Sequence, residues 1–148
     1  MGSSLECDGI TITRTPAHHC TGEIERAMAP VSGFVLESSI EPTLYIAGDT
    51  VWHPDVVATI ELFQPAVIVV NASGARLLQG DPIVMTVNDI AMLCNAAPSA
   101  TVIVVLLEAV NHCLETRADY RSGLPALGVD TSRVHIPENS EVITIPSS

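Results

Sequence analysis

Residues 43–71, TLYIAGDTVWHPDVVATIELFQPAVIVVN, contain the strand, helix and strand that decide the fold class. Residues 43–47 (TLYIA) and 66–70 (AVIVV) are short apolar runs rich in β-branched residues, which is typical of buried strands. Between them, Pro54 suits the first turn of a helix that runs to about Phe63 and has one apolar stripe. This alternation predicts parallel strands in an α/β sheet.

The chain after residue 71 continues the alternation. We predict helices capped by Thr86 and Thr116, with a buried strand at 101–107 (TVIVVLL) between them. Short strands at 133–136 and 141–145 are expected to close the fold. The last helix is expected to stop at Gly128 and to present three apolar side chains on one face, those of Tyr120, Leu124 and Leu127.

Three strands are predicted before residue 48. Residues 10–15 (ITITRT) alternate between apolar and polar, while 33–38 (GFVLES) and 43–47 have a tight connection between them that is typical of a hairpin. The predicted order is β-β-β-α-β-α-β-α-β-β. It indicates an α/β domain with a mixed sheet and helices on one face.

The composition fits one packed domain. The chain has 148 residues, of which 47% are hydrophobic and only 3% aromatic, so its core must be built from aliphatic side chains. We assign residues 5–148 to a single domain and regard residues 1–4 as a possible remnant of an expression tag.

The charge balance excludes several classes of partner. The formal net charge is −11 and the chain contains no lysine. An acidic surface repels phosphate backbones and anionic lipids, so we expect neither nucleic-acid binding nor membrane attachment. The absence of lysine also excludes Schiff-base chemistry on a lysine amine.

The cysteines and the amino-terminal residues predict a cytoplasmic protein. No CxxC pair occurs, and the spacing does not suit a disulfide framework, so reduced thiols are expected. The first residues lack the pattern of a secretory signal, and no apolar run reaches the length of about 18 residues that a membrane helix needs. The cysteines are Cys7, Cys20, Cys94 and Cys113.

Two places on the chain carry candidate chemistry. His18 and His19 follow a predicted strand, where imidazoles could offer neutral nitrogen to a metal; alternatively they are partly exposed loop residues. Asp49 follows another strand and could bind a metal; alternatively Asp49 or Thr50 caps the next helix. His53 is expected to be a surface residue.

The order of several short motifs over residues 10–145 resembles the later part of the metallo-β-lactamase superfamily. Within it, the chain is similar to the branch of metal-dependent hydrolases that includes ascorbate-6-phosphate lactonases and N-acyl-phosphatidylethanolamine phospholipases. The motifs are residues 15–22 (TPAHHCTG), 33–37 (GFVLE), 43–50 (TLYIAGDT), 71–76 (NASGAR), 80–82 (GDP) and 108–113 (EAVNHC).

The resemblance implies metal ligands at two positions. His19 matches the metal-binding histidine of the Pro-x-x-His loop, and Asp49 matches the aspartate that bridges two metals. His18 falls on a variable position beside the first ligand, and His112 lies near a later motif; both are weaker candidates. The resemblance implies zinc or manganese, with an empty relic site as the alternative.

Two departures set the chain apart from that family. No segment matches the His-x-His-x-Asp-His motif, which supplies most ligands and normally precedes the first of these strands. Leu106 stands where close relatives place the last metal-binding histidine, and leucine cannot ligate a metal. The resemblance therefore implies the carboxyl-terminal half of such a hydrolase with an incomplete active site.

The resemblance implies an αββα sandwich made of two similar halves. Half of such a sandwich leaves one face of its sheet apolar and uncovered, which predicts a partner. A homodimer is the simplest, and a separate chain carrying the amino-terminal half is the other candidate. We expect a self-associating module that has lost the parent hydrolase activity. The alternatives are a metal-dependent hydrolase of esters, lactones or phosphodiesters completed by a dimer or partner chain, and a small-molecule-binding module.

Overall fold

A computed structural model describes residues 2–19, 30–76 and 80–145 of the chain. Those residues form one seven-stranded sheet whose strands lie in chain order. Strands one to four pair antiparallel, and strands four to seven pair parallel. The strands are β1 (Ser4–Cys7), β2 (Ile10–Ala17), β3 (Val31–Ser38), β4 (Leu44–Gly48), β5 (Val67–Asn71), β6 (Thr101–Val105) and β7 (Val134–His135).

Three α-helices lie in the described part of the chain, and they connect the parallel strands. They are α1 (Pro54–Phe63), α2 (Val87–Ala96) and α3 (Arg117–Ala126), and a 3-10 turn covers Thr131–Arg133. The expected mixed α/β architecture is confirmed. None of these helices is long and apolar enough to cross a bilayer.

The predicted caps of α2 and α3 are confirmed as capping boxes. The hydroxyl of Thr116 accepts the backbone N–H of Asp119, and the Asp119 carboxylate accepts the backbone N–H of Thr116. The hydrogen bonds that the Asp119 carboxylate accepts from the amide and the hydroxyl of Thr116 lower the pKa of Asp119. Thr86 and Asp89 form the same pair at α2.

One face of the sheet is covered by the helices. Val35, Tyr45, Ile68 and Val102 project from neighbouring strands toward this side, and each is 0% exposed. They pack in one cluster with apolar side chains of all three helices, among them Val56, Ile60, Ile90, Leu93, Tyr120 and Leu124. This is the core, and it is aliphatic as the composition predicts.

The opposite face carries apolar side chains that stay open to solvent. Phe34, Ile46, Val69 and Ile103 lie opposite one another in register, so they form a row across four strands. Phe34 is 41% exposed and Ile46 is 37% exposed, while Val69 and Ile103 are half-buried. We call the surface around this row the open face.

The structure differs from the predicted elements in four places. β1 is an additional edge strand, and Gly2 and Ser3 also bond to Arg14, so residues before Leu5 take part in the sheet. The predicted strand at 141–145 is wrong, because that segment pairs with no strand among the described residues and Val142 is 89% exposed.

The other two differences concern β6 and α3. β6 ends at Val105 rather than at 107, since Leu106 takes a φ of +67°, which breaks the extended backbone. Leu127 does not share the buried face of Tyr120 and Leu124; it is 46% exposed. It lies just after the helix, where the chain turns into Gly128 at a φ of +78°.

Candidate metal centre at the carboxyl edge of the sheet

The fold brings the predicted ligands to one edge of the sheet. β2, β4, β5 and β6 all run in the same direction, so their carboxyl ends meet there. His19 follows β2 and Asp49 follows β4. Asn71 ends β5 and Leu106 follows β6. The carboxyl ends of strands in such sheets are where ligands commonly bind.

Backbone contacts join the loops that carry His19 and Asp49. The amide of His18 donates to Thr50 Oγ1 at 3.0 Å, and the amide of Val51 donates to the carbonyl of His18 at 2.8 Å. Gly48, at the end of β4, packs closely on β3: its φ is +70°, and a Cβ there would lie 2.9 Å from the carbonyl oxygen of Ser32. Each of these bonds involves a direct neighbour of His19 or Asp49.

The imidazole of His19 is anchored through one of its ring nitrogens. Its Nδ1 donates to the carbonyl oxygen of Ile83 at 2.8 Å. A carbonyl can only accept, so in the neutral ring the hydrogen sits on Nδ1 and Nε2 keeps its lone pair. A backbone carbonyl in this position is the usual partner of a metal-bound histidine.

Asp49 is also held by one of its two oxygens. Asn71 Nδ2 donates to Asp49 Oδ1 at 2.7 Å, a bond that links the ends of β4 and β5. Asp49 is half-buried. The alternative that Asp49 or Thr50 caps α1 is wrong, because the cap is His53, whose Nδ1 accepts the backbone N–H of Asp55 at 3.2 Å.

A second group of donor atoms lies beside this edge. His18 Nε2 is 2.7 Å and His53 Nδ1 is 3.2 Å from Asp55 Oδ2. The two imidazole rings stack with centroids 3.6 Å apart. The hydrogen bond from His18, opposed in part by desolvation, lowers the pKa of Asp55. We call His18, His53 and Asp55 the helix-start cluster.

Sequence reasoning missed the helix-start cluster. His53 was expected to be a surface residue, and Asp55 carried no signal, because the contact between His18 and Asp55 spans 37 residues. Among the described residues, this is the group of three or more histidine, cysteine or carboxylate side chains whose donor atoms all lie within 4.8 Å.

The remaining candidates take no part in either group. The ring of His112 contacts the side chain of Asn111 at 3.3 Å. Leu106 is half-buried and places an aliphatic side chain after β6, in the left-handed region. Cys20 lies outside the described residues.

Comparison with known proteins identifies relatives among metal-dependent hydrolases, although no family model matches the chain. The UPF0173 protein YddR of Bacillus subtilis is 35% identical over 138 residues, which cover 93% of this chain and 54% of that protein. The chain therefore spans about half the length of this relative.

Solved structures show the same fold. An isothiocyanate hydrolase from Delia radicum gut bacteria superposes with a TM-score of 0.91 at 29% identity, over 100% of this chain and 59% of that one. A possible metal-dependent hydrolase of Veillonella parvula gives 0.89 at 34% identity, over 96% and 56%.

The fold extends to more distant proteins. The metallo-β-lactamase-fold protein YhfI of Bacillus subtilis gives a TM-score of 0.64 at 11% identity, over 92% of this chain and 49% of that one. In sequence the chain is thus similar to UPF0173 metal-dependent hydrolases, and in fold it matches a little more than half of a metallo-hydrolase.

Proposed function

We propose that this chain is a metal-binding half of a metallo-β-lactamase-fold hydrolase, in the branch similar to ascorbate-6-phosphate lactonases and N-acyl-phosphatidylethanolamine phospholipases. His19 and Asp49 are the proposed ligands, for zinc or manganese. One observation carries the proposal: each side chain is anchored through one polar atom, at Ile83 or Asn71, which leaves the other atom for a metal.

The donor set suits these ions but is small. Imidazole nitrogen and carboxylate oxygen are ordinary ligands of zinc and manganese, and a catalytic zinc usually has three protein ligands and a water. Leu106, at the end of the neighbouring strand, supplies no donor atom. We therefore propose that the isolated chain binds metal weakly and has no hydrolase activity of its own.

Self-association is the second part of the proposal. Apolar side chains such as Phe34 and Ile46 stay about two-fifths exposed on the open face. Burial of such surface stabilises by about 25 cal/mol per Å². A two-fold contact between two open faces would bury this row on both chains at once and give a homodimer, and isologous contacts are the commonest oligomer geometry.

A working hydrolase is the second candidate, favoured by the retained and anchored His19 and Asp49. A second copy or a separate partner chain would supply the missing ligands. A bound metal would polarise an ester, lactone or phosphodiester and activate water. An isothiocyanate is a further substrate class, suggested by the name of one structural relative. We place this activity in the cytoplasm, where Cys94 and Cys113 stay reduced.

Metal content in matched variants tests the ligand assignment. Tag-free, size-fractionated protein is loaded with zinc, dialysed and measured by elemental analysis and calorimetry. His19→Ala and Asp49→Ala are each expected to lose one class of site, while His112→Ala, the matched control, binds as the unaltered chain does. Full binding in His19→Ala would show that the half-site is a relic.

A further inference from the structure

The helix-start cluster contains three metal-ligand side chains that the proposed function does not use. His18 comes from the end of β2, and His53 and Asp55 come from the start of α1. We propose that these three residues form a second transition-metal site, which takes a zinc-like divalent cation and shares no ligand with His19 and Asp49. The proposal stands whether or not the half-site at His19 binds metal.

The donor atoms of the helix-start cluster lie close to one another. Asp55 Oδ2 lies 2.7 Å from His18 Nε2 and 3.2 Å from His53 Nδ1, and all three ligand atoms fall within 4.8 Å of one another. Zinc–nitrogen and zinc–oxygen bonds are about 2.0–2.2 Å long. Since a single atom already lies close to both nitrogens, small side-chain rotations bring all three donors to bonding distance of an ion between them.

The fold fixes both sides of the cluster. The backbone of His18 is bonded to Thr50 and Val51 at its amide and its carbonyl. Asp55 lies in the first turn of α1, where its carbonyl accepts the hydroxyl of Thr59 at 2.8 Å. A site on such rigid elements loses little conformational entropy when an ion binds.

The chemistry of the three side chains suits zinc, cobalt or nickel rather than calcium. Two imidazoles and one carboxylate form a three-ligand set that leaves a fourth tetrahedral position for water. The cluster is open enough for an ion to enter, because the side chains of His18, His53 and Asp55 are 23%, 35% and 41% exposed. The net charge of −11 raises the local concentration of cations.

Two existing hydrogen bonds and the helix dipole oppose ion binding and set how the site must adjust. His53 Nδ1 accepts the amide of Asp55, and the positive end of the α1 dipole faces the cluster. An ion must therefore replace two hydrogen bonds, the one that His53 Nδ1 accepts and the one that His18 Nε2 donates to Asp55 Oδ2, and the stacked rings must splay apart. The anionic carboxylate of Asp55 offsets the helix dipole.

A metal in this position would join the end of β2 to the start of α1. His18 is the direct neighbour of His19, so the ion would hold the backbone beside His19 near the start of α1. The site would thus have a structural role: it restrains His18 without contacting His19.

Cobalt titration in a background without the first half-site tests the proposal. The parent protein is the His19→Ala/Asp49→Ala double variant, and the probe is Co²⁺, whose visible absorbance reports tetrahedral nitrogen and oxygen ligands. We expect one bound equivalent per chain. Asp55→Asn should weaken binding at least tenfold, because it removes the only anionic ligand.

His53→Ser separates a metal site from a helix cap. Serine is a strong helix cap, so α1 keeps its capped start and the melting temperature should stay the same, while the nitrogen ligand is lost. We expect loss of the tetrahedral absorbance and at least tenfold weaker binding, with His112→Ala unchanged. Unchanged cobalt binding in His53→Ser, or no binding by the parent variant, would overturn the proposal.

The unaltered chain provides a check that does not depend on the double variant. There, His53→Ser should remove one class of cobalt site and keep the class that His19→Ala removes. If His19→Ala removes a class of cobalt site and His53→Ser removes none, the helix-start site fails while the proposed half-site survives. If His53→Ser removes a class of cobalt site and His19→Ala removes none, the helix-start site is supported and the proposed half-site fails.

Discussion

The covered face and the open face of the sheet are built from the same strands, yet they differ sharply in burial. Ile68 on the covered face is 0% exposed, whereas Ile46, in the neighbouring strand but on the other side, is 37% exposed. Both faces carry aliphatic side chains at alternating positions. The difference is that the three helices within residues 30–76 and 80–145 pack on only one of them.

The sequences of the central strands do not match the exposure of the open face. A strand covered on one side only usually alternates between apolar and polar residues, but β5 and β6 are apolar at nearly every position, as expected of strands buried on both sides. The sequence of the open face therefore suits a buried surface. This supports the proposal that a second copy of the chain covers it.

Truncation of the two isoleucines gives the largest expected difference between the faces. Ile68→Ala should destabilise the chain by about 2–5 kcal/mol, since it opens a cavity in the core. Ile46→Ala should cost less than about 1 kcal/mol at submicromolar concentration, because the side chain remains partly in water. Urea unfolding monitored by circular dichroism measures both; equal losses would mean that the open face is already packed.

A charge on the open face should break self-association without unfolding the chain. Phe34→Glu and Ile46→Glu are expected to weaken dimerisation by about 10- to 100-fold, since a carboxylate would be desolvated in an apolar contact. Sedimentation velocity measures this. Glu61→Gln, on the exposed surface of α1, is the matched control and should associate as before; an unaffected Ile46→Glu dimer would place the contact elsewhere.

At the carboxyl edge of the sheet, zinc affinity should fall when the Asn71 side chain is removed. Asn71→Ala removes the hydrogen bond that orients Asp49, and we expect about 10- to 100-fold weaker zinc binding. Calorimetry measures the affinity, and Asn95→Ala, on the exposed side of α2, serves as the control. Equal zinc affinity in both variants would show that Asn71 does not orient Asp49 for metal binding.

The smallest expected change in stability comes from the end of α1, in the helical layer on the covered face. Gln64 caps this helix with a φ of +44°, a conformation that glycine adopts without strain. Gln64→Gly should stabilise the chain by about 0.5–1 kcal/mol. Thermal unfolding measures it, with Gly128→Ala at the end of α3 expected to change stability in the opposite direction.

Local sequence signals predicted the elements whose causes are local. Thr86 and Thr116 cap helices because each can bond to an amide three residues away, and the buried strands follow from runs of β-branched residues. β1 could not be predicted in the same way, because all four of its residues are exposed and it exists only through pairing with β2.

The candidate site likewise has features that the sequence predicts and features that depend on contacts between distant residues. The resemblance assigned His19 and Asp49, and chain direction alone brings both to one edge of the sheet. The anchoring of His19 by Ile83 spans 64 residues, and the contact between His18 and Asp55 spans 37, so neither leaves a pattern in the sequence. Conversely, residues 141–145 alternate like a strand but pair with none of the strands in the part of the chain that the structure describes.

Sedimentation equilibrium of the untagged chain, from nanomolar to tens of micromolar, tests the central claim most directly. The open face predicts a reversible, concentration-dependent dimer with twice the 15.6 kDa mass of one chain, which Ile46→Glu shifts back to monomer. A monodisperse monomer across the whole range would contradict the claim that two open faces cover each other.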